Sequence, residues 1–355
     1  MKRIPYKYRF TYGYFQLVDK LLGRKRGFAL TKKFRKKFYD TLHTALKASG
    51  KGKLIEVERV RDISLKDFKR KYVARNKPVV IEGAAKEWGC VRNWSIDYFQ
   101  ELHGEDEVTI VANDTTQTLF EILKLKDVLN NIRSGGSKYF RFYPLLEKHP
   151  EHIKDFNYTW LKKAKNKIGF LNQFQVFIGG KGTYTPLHNA MGSNLFVQAF
   201  GTKEWILYPP SISAVIDPSP GVNFHRSAPF KTKEGPFNPF KPAYESPYHL
   251  YEYIDRIKVT LQPGDILFNP PHYWHAVQNP TDSIGVGFRW VSPAASFLTT
   301  PWYTILDLLD APFNKHIYKD LKKDYIYLLM KELGTYDEYM AEKNKRQYEK
   351  KPSSI

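Results

Sequence analysis

The chain has 355 residues, of which 42% are hydrophobic and 15% aromatic, and its formal net charge is +20. This composition excludes a disordered chain, and the sequence contains no run of about 18 apolar residues that would predict a transmembrane helix. The first residues lack the apolar stretch of a secretory signal, and a single cysteine, Cys90, excludes an internal disulfide. We therefore expect a cytoplasmic protein.

Residues 1–50 are predicted to form a basic helical extension. Residues 1–53 contain 16 Lys or Arg and two acidic residues, so they hold +14 of the net charge. Phe34, Phe38, Leu42 and Leu46 recur at helical spacing. Basic residues interleaved with aromatic ones suit an acidic partner, an anionic membrane surface or nucleic acid, and they also suit a plain solvated helix face. Charge alone does not choose between these alternatives.

Residues 51–297 are predicted to form one mainly β domain. It begins with a strand from Ile55 to Val60, a helix capped by Ser64 and a strand within residues 77–83. Short strand candidates bounded by Gly, Pro or Asn then dominate, which favours a β-sandwich or small barrel over alternating βαβ units. They are residues 108–111, 138–143, 173–178, 194–200, 203–208, 256–261, 265–268 and 284–290.

Two further segments complete the predicted organisation. Residues 217–253 form a long insertion rich in Pro and Phe, which is typical of a lid over a substrate pocket or of a packed surface loop. Residues 298–355 are predicted to be helical, with helices at 302–309 and 317–333.

Two histidines in similar settings are the strongest chemical signal. His188 ends a Thr-Pro-Leu-His motif, and His275 ends an Asn-Pro-Pro-His-Tyr-Trp-His motif. Neutral imidazole is a good Fe(II) ligand, and non-haem iron oxygenases hold their metal with two His and one carboxylate. A jelly-roll barrel would bring the two strand ends together across its mouth. The residue two positions after the first histidine, where the carboxylate is expected, is Ala190.

With these motifs the chain resembles the JmjC/cupin-like family of Fe(II)- and 2-oxoglutarate-dependent oxygenases over residues 55–295. The resemblance rests on an ordered set of motifs: Lys-Pro-Val-Val-Ile-Glu-Gly at 77–83, Thr-Pro-Leu-His at 185–188, Gly-Thr-Lys-Glu-Trp at 201–205 and Gly-Asp-Ile-Leu-Phe at 264–268. It implies a double-stranded β-helix with flanking helices. It also implies Fe(II) and 2-oxoglutarate as cofactors, and oxidative attack on an unactivated C–H bond.

The resemblance also implies roles for individual residues. His188 and His275 would bind the iron, and Lys203, fifteen residues after the first histidine, would bind the distal carboxylate of 2-oxoglutarate. A dianion in a mostly apolar barrel needs a buried cation and hydroxyl donors. The matching donors are Thr185 and Tyr139, with Tyr143 as the alternative to Tyr139. Asn194 would lie beside the iron-chelating end.

Substrate and assembly are less defined. Arg289, Trp290 and Arg226 are predicted to contact the substrate, with Arg289 placed to meet a carboxylate. The substrate class stays open between a small molecule, a peptide and a protein side chain. Related protein hydroxylases dimerise through their C-terminal helices, which implies a homodimer here; the alternative is that these helices pack against the barrel.

Ala190 leaves three interpretations. In the first, chloride fills the vacated iron position, as in non-haem iron halogenases, which resemble this chain in their His-x-Ala or His-x-Gly motif. In the second, the chain is a hydroxylase with an altered or engineered iron site, in which His272 or Asn189 replaces the carboxylate; strand alternation predicts that both face away. In the third, the barrel is a non-catalytic binding module. The retention of Lys203 and Thr185 favours a maintained cosubstrate site.

Overall fold

The structure is a computed structural model, and it describes residues 4–111, 120–136, 138–143, 145–218, 220, 225–227, 231–232, 235–236, 238–240 and 249–309. The α-helices are α1 (Tyr6–Leu22), α2 (Arg24–Ala48), α3 (Leu65–Phe68), α4 (Gly89–Asn93), α5 (Ile96–His103), α6 (Leu125–Arg133), α7 (Leu145–Lys148), α8 (Tyr158–Ala164), α9 (Ser213–Ile216), α10 (Pro293–Thr299) and α11 (Pro301–Leu308). A π-helical turn spans Lys69–Val73, and 3-10 turns span Pro150–Asp155, Pro210–Ile212 and His249–Tyr253.

The strands are β1 (Leu54–Glu56), β2 (Arg59–Val60), β3 (Val79–Ile81), β4 (Glu107–Val111), β5 (Phe120–Lys124), β6 (Tyr139–Tyr143), β7 (Phe170–Gly179), β8 (Tyr184–Ala190), β9 (Ser193–Phe200), β10 (Lys203–Tyr208), β11 (His225–Ser227), β12 (Lys231–Thr232), β13 (Gly235–Pro236), β14 (Arg256–Leu261), β15 (Ile266–Asn269), β16 (Trp274–Gln278) and β17 (Ser283–Val291).

Two large sheets form the barrel. One has the strand order β2-β3-β15-β9-β17-β7-β6, and the other has the order β1-β14-β10-β16-β8-β11. Within the barrel, β7, β9, β15 and β17 belong to the seven-stranded sheet, while β8, β10, β14 and β16 belong to the six-stranded sheet. These eight strands pair antiparallel within each sheet, and the chain crosses repeatedly between the two facing sheets, which is the topology of a jelly roll. This confirms the predicted double-stranded β-helix with flanking helices.

Strand alternation sorts the apolar side chains into three layers. An inner cluster between the sheets contains Phe196, Trp205 and Leu267. The opposite face of the seven-stranded sheet packs against α3 to α8, with Phe99 and Leu129 fully buried there. The outer face of the six-stranded sheet packs against α1, α2, α9 and α11.

The basic N-terminal residues form two helices with one buried face each. Phe15 on α1 and Leu42 on α2 are fully buried against the six-stranded sheet's outer layer. Asp19 is buried between Arg35 at 2.6 Å and Arg24 at 2.7 Å. These helices therefore cover an apolar face of the barrel with one side, while basic side chains such as Lys32 and Lys36 on the other side are exposed. The division of the chain at residues 50 and 297 stays a prediction.

The structure tests three of the local predictions and leaves a fourth untested. The Ser64 hydroxyl accepts a hydrogen bond from the Asp67 amide at 3.1 Å, which confirms the predicted cap. The single strand expected from Ile55 to Val60 is instead two strands, because β1 pairs with β14 and β2 pairs with β3 in the other sheet. The helix predicted at 302–309 corresponds to α11, whereas the one at 317–333 lies outside the described residues. No helix in the described ranges has the length and apolar character that crossing a membrane requires.

Candidate functional site

His188 and His275 face each other across two neighbouring strands. β8 and β16 are antiparallel, their register places the two histidines directly opposite each other, and the ring centroids are 4.1 Å apart. The Nδ1 of His188 lies 2.8 Å from the Pro186 carbonyl oxygen, and the Nδ1 of His275 lies 2.9 Å from that of Tyr273. An Nδ1 that donates to a carbonyl leaves the lone pair on Nε2, which is the tautomer of a metal-binding imidazole.

A β-bulge brings Thr185 to the same side as His188. Residues three apart in a regular strand point to opposite faces. Here the register shifts, because His275 pairs with His188 while Val277 pairs with Thr185, so β8 holds one extra residue in this interval. Such a bulge re-aims a side chain next to a site. Thr185 and His188 consequently line the same cavity.

This cavity has a volume of about 240 Å³ and lies at the mouth of the barrel. Its walls are mainly aromatic and contain a single cationic side chain, that of Arg289. The lining residues are Tyr139, Phe177, Thr185, Pro186, His188, Phe196, Trp205, Ser227, His275, Val277 and Arg289. Larger cavities of about 350 and 580 Å³ lie elsewhere on the molecule, but neither contains a histidine. The chemistry of the lining, rather than volume, therefore selects this site.

Lys203 is fully buried directly behind the cavity wall. Its Nζ donates to Asn279 Oδ1 at 2.5 Å and lies 5.7 and 5.9 Å from the ring centroids of Tyr139 and Phe196, both of which line the cavity. Burial penalises the ammonium form and lowers the pKa of Lys203 to about 7. Lys203 itself is absent from the cavity lining, so it reaches an occupant only past these two rings.

A second cation, the half-buried Arg289, lies within the cavity. Burial lowers the pKa of Arg289 to about 10. Arg289 on β17 stands opposite Asn194 on β9, and Asn194 Oδ1 is buried with no hydrogen-bond partner among the described residues. A Cβ at Gly287 would lie 3.0 Å from that oxygen and 3.5 Å from Arg289 Nε. The glycine thus leaves the space that the amide and the guanidinium occupy.

Comparison with known proteins agrees with this architecture. The model of the family described as cupin-like domain matches residues 65–296, which is well over half of the chain. The chain belongs to the cupin-like domain family. The family match covers every strand that supplies a residue to the cavity, from β6 to β17.

Several proteins resemble this cupin-like chain at low identity. It is 26% identical over 238 residues to lysine-specific demethylase 8 of Xenopus tropicalis, covering 64% of this chain and 51% of that protein. It is 27% identical over 252 residues to lysine-specific demethylase JMJ30 of Arabidopsis thaliana, covering 68% and 56%. It is 25% identical over 285 residues to the chicken 2-oxoglutarate and iron-dependent oxygenase JMJD4, covering 72% and 64%. The matched part is thus about half the length of the first two relatives.

Two residues expected to contact substrate lie outside the cavity of this cupin-like protein. Trp290 is fully buried, donates to Asn166 Oδ1 at 2.9 Å and belongs to the outer layer, because it points away from the face that its neighbour Arg289 occupies. Arg226 is fully buried in a two-point ion pair with Asp307, at 2.5 and 3.1 Å. In the structure Trp290 packs the core and Arg226 ties β11 to α11, so contact of either residue with a substrate stays an untested prediction.

The third ligand position holds Ala190, and no carboxylate lines the cavity among the described residues. His272 is fully buried with a φ of +59°, and its Nε2 lies 3.5 Å from Thr304 Oγ1, so it faces α11 rather than His275. Asn189 is fully buried on the opposite face of β8 from His188. The structure therefore supplies neither replacement ligand. In the strand register, His225 stands opposite Ala190.

Sequence reasoning missed several residues that shape the site. Trp205 stacks on His275 with centroids 5.4 Å apart, Asn279 accepts from Lys203, and Ser227 lines the cavity opposite His188. Trp205 ends the Gly-Thr-Lys-Glu-Trp motif. Its two-residue spacing from Lys203 could have predicted that both side chains lie on the same face of the strand. No sequence pattern pointed to Ser227 or Asn279, because only the pairing of distant strands brings them close to the site.

Proposed function

We propose that this chain is an Fe(II)- and 2-oxoglutarate-dependent oxygenase that modifies an unactivated C–H bond. The observation that carries the proposal is the pair of opposed imidazoles, both with Nδ1 at a carbonyl, at a cavity that contains Arg289 and has the buried Lys203 behind its wall. The name of the chicken relative, 2-oxoglutarate and iron-dependent oxygenase, supports the same chemistry.

The residues present fit both cofactors. His188 and His275 offer two neutral nitrogens on one side of the cavity, a donor set that suits Fe(II). The cations Lys203 and Arg289 match the negative charge of 2-oxoglutarate, and Asn194 stays the predicted neighbour of the end that chelates iron. When bound, iron would activate O2, the oxidant that breaks the C–H bond, and 2-oxoglutarate would supply two of the electrons through its oxidative decarboxylation.

The chain's own residues hold and orient these groups. The carbonyl oxygens of Pro186 and Tyr273 fix the imidazole rings, and Trp205 restrains the His275 ring by stacking. Lys203 neutralises the distal carboxylate of 2-oxoglutarate, and Thr185 and Tyr139 donate to it. The aromatic walls exclude water, which strengthens these charge interactions. Arg289, at the cavity surface, meets a polar group of the substrate.

We propose a protein or peptide side chain as the substrate. The relatives named lysine-specific and arginine-specific demethylases support a substrate of this class. Their targets are basic, whereas this chain carries +20, of which residues 1–53 hold +14. Like charges repel during encounter, so an acidic or neutral segment is the better match for this chain. The cytosol remains our proposed compartment and a homodimer our proposed assembly.

Chlorination is the second candidate, and Ala190 is the observation that favours it. A methyl side chain at the usual carboxylate position would leave one coordination site of the iron without a protein ligand, and chloride would take that site in this candidate. None of the relatives described above is named a halogenase. Hydroxylation therefore ranks first, and the products decide between the two.

An anaerobic titration tests the proposal before a substrate is known. Purified protein with Fe(II) and 2-oxoglutarate should develop the weak visible charge-transfer band of the iron chelate, and chloride should shift it if chloride binds the metal. The variant His188→Ala/His275→Ala should show no band. If the wild-type protein shows no band at any chloride level, the barrel is a non-catalytic binding module. A band that is insensitive to chloride favours hydroxylation.

A further inference from the structure

A second group of histidines lies in the helical layer, away from the cavity. His103 ends α5, Asp106 immediately precedes β4, and His149 lies between α7 and the following 3-10 turn. One ligand atom from each residue lies within 4.8 Å of the others. Neighbouring Phe99 belongs to the apolar layer outside the seven-stranded sheet, so this sheet separates the group from His188 and His275.

The hydrogen bonds of this group determine which nitrogen of His103 carries the proton, and they leave the lone pair on its buried Nδ1. Asp155 Oδ2 accepts from Trp94 Nε1 at 2.9 Å and lies 2.8 Å from His152 Nδ1. With the His152 proton on Nδ1, its Nε2 accepts from His103 Nε2, 2.7 Å away. A neutral His103 that donates from Nε2 has its lone pair on Nδ1.

That nitrogen has no partner among the described residues. His103 is 94% buried, and its Nδ1 makes no hydrogen bond. A buried polar atom without a partner costs free energy, so its presence calls for an explanation such as an ion. The His103 and His149 rings stack with centroids 3.9 Å apart, and His149 Nε2 lies 2.8 Å from Asp106 Oδ2. The unpartnered nitrogen thus belongs to a group with two further metal-ligating side chains.

We propose that His103, Asp106 and His149 bind a Zn²⁺ ion with water as the fourth ligand. Two imidazoles and one carboxylate are a donor set that zinc uses, with bonds of about 2.0–2.2 Å. Tetrahedral ligands then stand roughly 3.3 Å apart, so the present separations need adjustments of about 1.5 Å or less. The ion replaces the proton shared by His149 and Asp106, and the Asp155–His152 pair holds His103 as the outer partners of zinc ligands do.

The surroundings contain charges of both signs. The carboxyl end of α5 carries partial negative charge, which favours a cation beside His103. Glu151 Oε1 lies 3.8 Å from His149 Nδ1. Lys148 Nζ lies 3.9 Å from Asp106 Oδ2 and opposes the ion, but this side chain is 35% exposed and can extend into solvent. Bound zinc would fix the end of α5 to the turn at residues 149–155.

Metal stoichiometry in a background without the barrel histidines tests the site independently of the proposed function. The full-length variant His188→Ala/His275→Ala is stripped with chelator, exposed to Zn²⁺, desalted and analysed by mass spectrometry for metal. We expect one zinc per chain and a raised Tm. Adding His149→Ala should remove the zinc, whereas adding the exposed-surface control His43→Ala should retain it. Zinc binding that survives His149→Ala, or no zinc in the double variant, overturns the proposal.

Two milder variants keep the test valid if His149→Ala perturbs folding. Asp106→Asn preserves the shape of the side chain but removes a charged ligand. Loss of a residue that only supports a ligand lowers metal affinity about 10–100-fold, so loss of this direct ligand should lower zinc affinity at least 100-fold. His152→Gln should weaken binding within that range. Co²⁺ reports both losses through the intensity of its visible bands, and circular dichroism verifies the fold. Unchanged affinity in Asp106→Asn would show that these residues form only a hydrogen-bonded cluster.

Discussion

Lys203 Nζ lies 2.5 Å from Asn279 Oδ1, and the amide nitrogen of Asn279 donates to Thr183 Oγ1 at 2.7 Å. The ammonium therefore hydrogen-bonds a neutral amide in a fully buried position, and no carboxylate ion pair with it occurs among the described residues. The amide orients the amine of Lys203 but does not neutralise its positive charge, which stays available to a bound anion. The charge of Lys203 consequently depends on whether the cavity holds a dianion.

The first prediction concerns pH. Lys203 has a pKa of about 7 in the free protein, and a bound dianion raises it, so the charged form binds tighter. Affinity for 2-oxoglutarate should be greatest below pH 7 and fall by up to about tenfold per pH unit above it. Calorimetry with Mn²⁺ in place of iron measures this dependence, and at pH 8 it should show proton uptake on binding. Affinity that does not change between pH 6 and 9 would contradict a role for this amine.

The same group makes a prediction about stability without any ligand. The unfolded chain keeps Lys203 protonated up to a pKa of about 10.4. Between pH 7 and 10 the unfolded state thus binds more protons than the folded state, so the free energy of unfolding contributed by Lys203 rises with pH. Urea unfolding of the wild type and of Lys203→Met, compared at pH 7 and 9, should show a larger increase for the wild type.

The third prediction separates the roles of Lys203 and Arg289. If Lys203 binds the distal carboxylate of 2-oxoglutarate, Lys203→Met should weaken cosubstrate binding by tenfold or more, since hydrogen bonds to charged groups contribute about 1.5–3 kcal/mol. Arg289→Gln should leave that affinity within about threefold and lower turnover of the substrate instead. The charge-transfer titration measures the affinities. The reverse pattern would assign the carboxylate to Arg289, which lines the cavity.

The strands themselves were largely predictable, because short apolar segments are bounded by Gly, Pro or Asn, and their arrangement followed from the resemblance. Segments 194–200, 203–208 and 256–261 were recognised as strands and correspond to β9, β10 and β14. β8 and β16 were expected only as turns that lead to histidines, because Pro186 and Pro270-Pro271 obscure the alternation. The convergence of His188 and His275 followed from the resemblance. The bulge that turns Thr185 toward them depends on pairing between distant strands, which no local pattern reveals.

Two other features were beyond local patterns. Arg289 and Trp290 were expected to share one role, yet adjacent residues in β17 face different layers. The histidine group at His103 has a weak signal, His103 three residues before Asp106 and His149 three before His152, but the two pairs meet only through tertiary packing. Spacing within one segment predicts a face, whereas a site built from two segments requires the fold.

The fourth prediction concerns the third ligand position. Ala190→Asp should place a carboxylate beside His188 and His275 and tighten Fe(II) binding by at least tenfold, because a charged ligand joins two neutral ones. Ala190→Asn is the matched control, since it has the same shape without the charge and should tighten binding less. If the wild type chlorinates, Ala190→Asp should redirect its products to hydroxylation. A carboxylate that leaves the affinity for iron unchanged would show that position 190 does not face the metal.

The fifth prediction concerns the N-terminal helices. Asp19→Asn removes the carboxylate that lies 2.6 Å from Arg35. It leaves a guanidinium whose side chain is only 1% exposed with the more distant Asp217, at 3.8 Å, as its remaining carboxylate partner among the described residues. Breaking a buried ion pair from one side costs about 3–5 kcal/mol. The free energy of unfolding in urea should fall by that amount, while the exposed control Asp40→Asn on α2 should change it by less than about 0.5 kcal/mol.

Because α1 and α2 cover the outer side of the sheet that carries His188 and His275, the charge-transfer band of Asp19→Asn should disappear at a lower urea concentration than in the wild type. Loss of helical circular dichroism before the band would instead show that the helices unfold independently of the barrel.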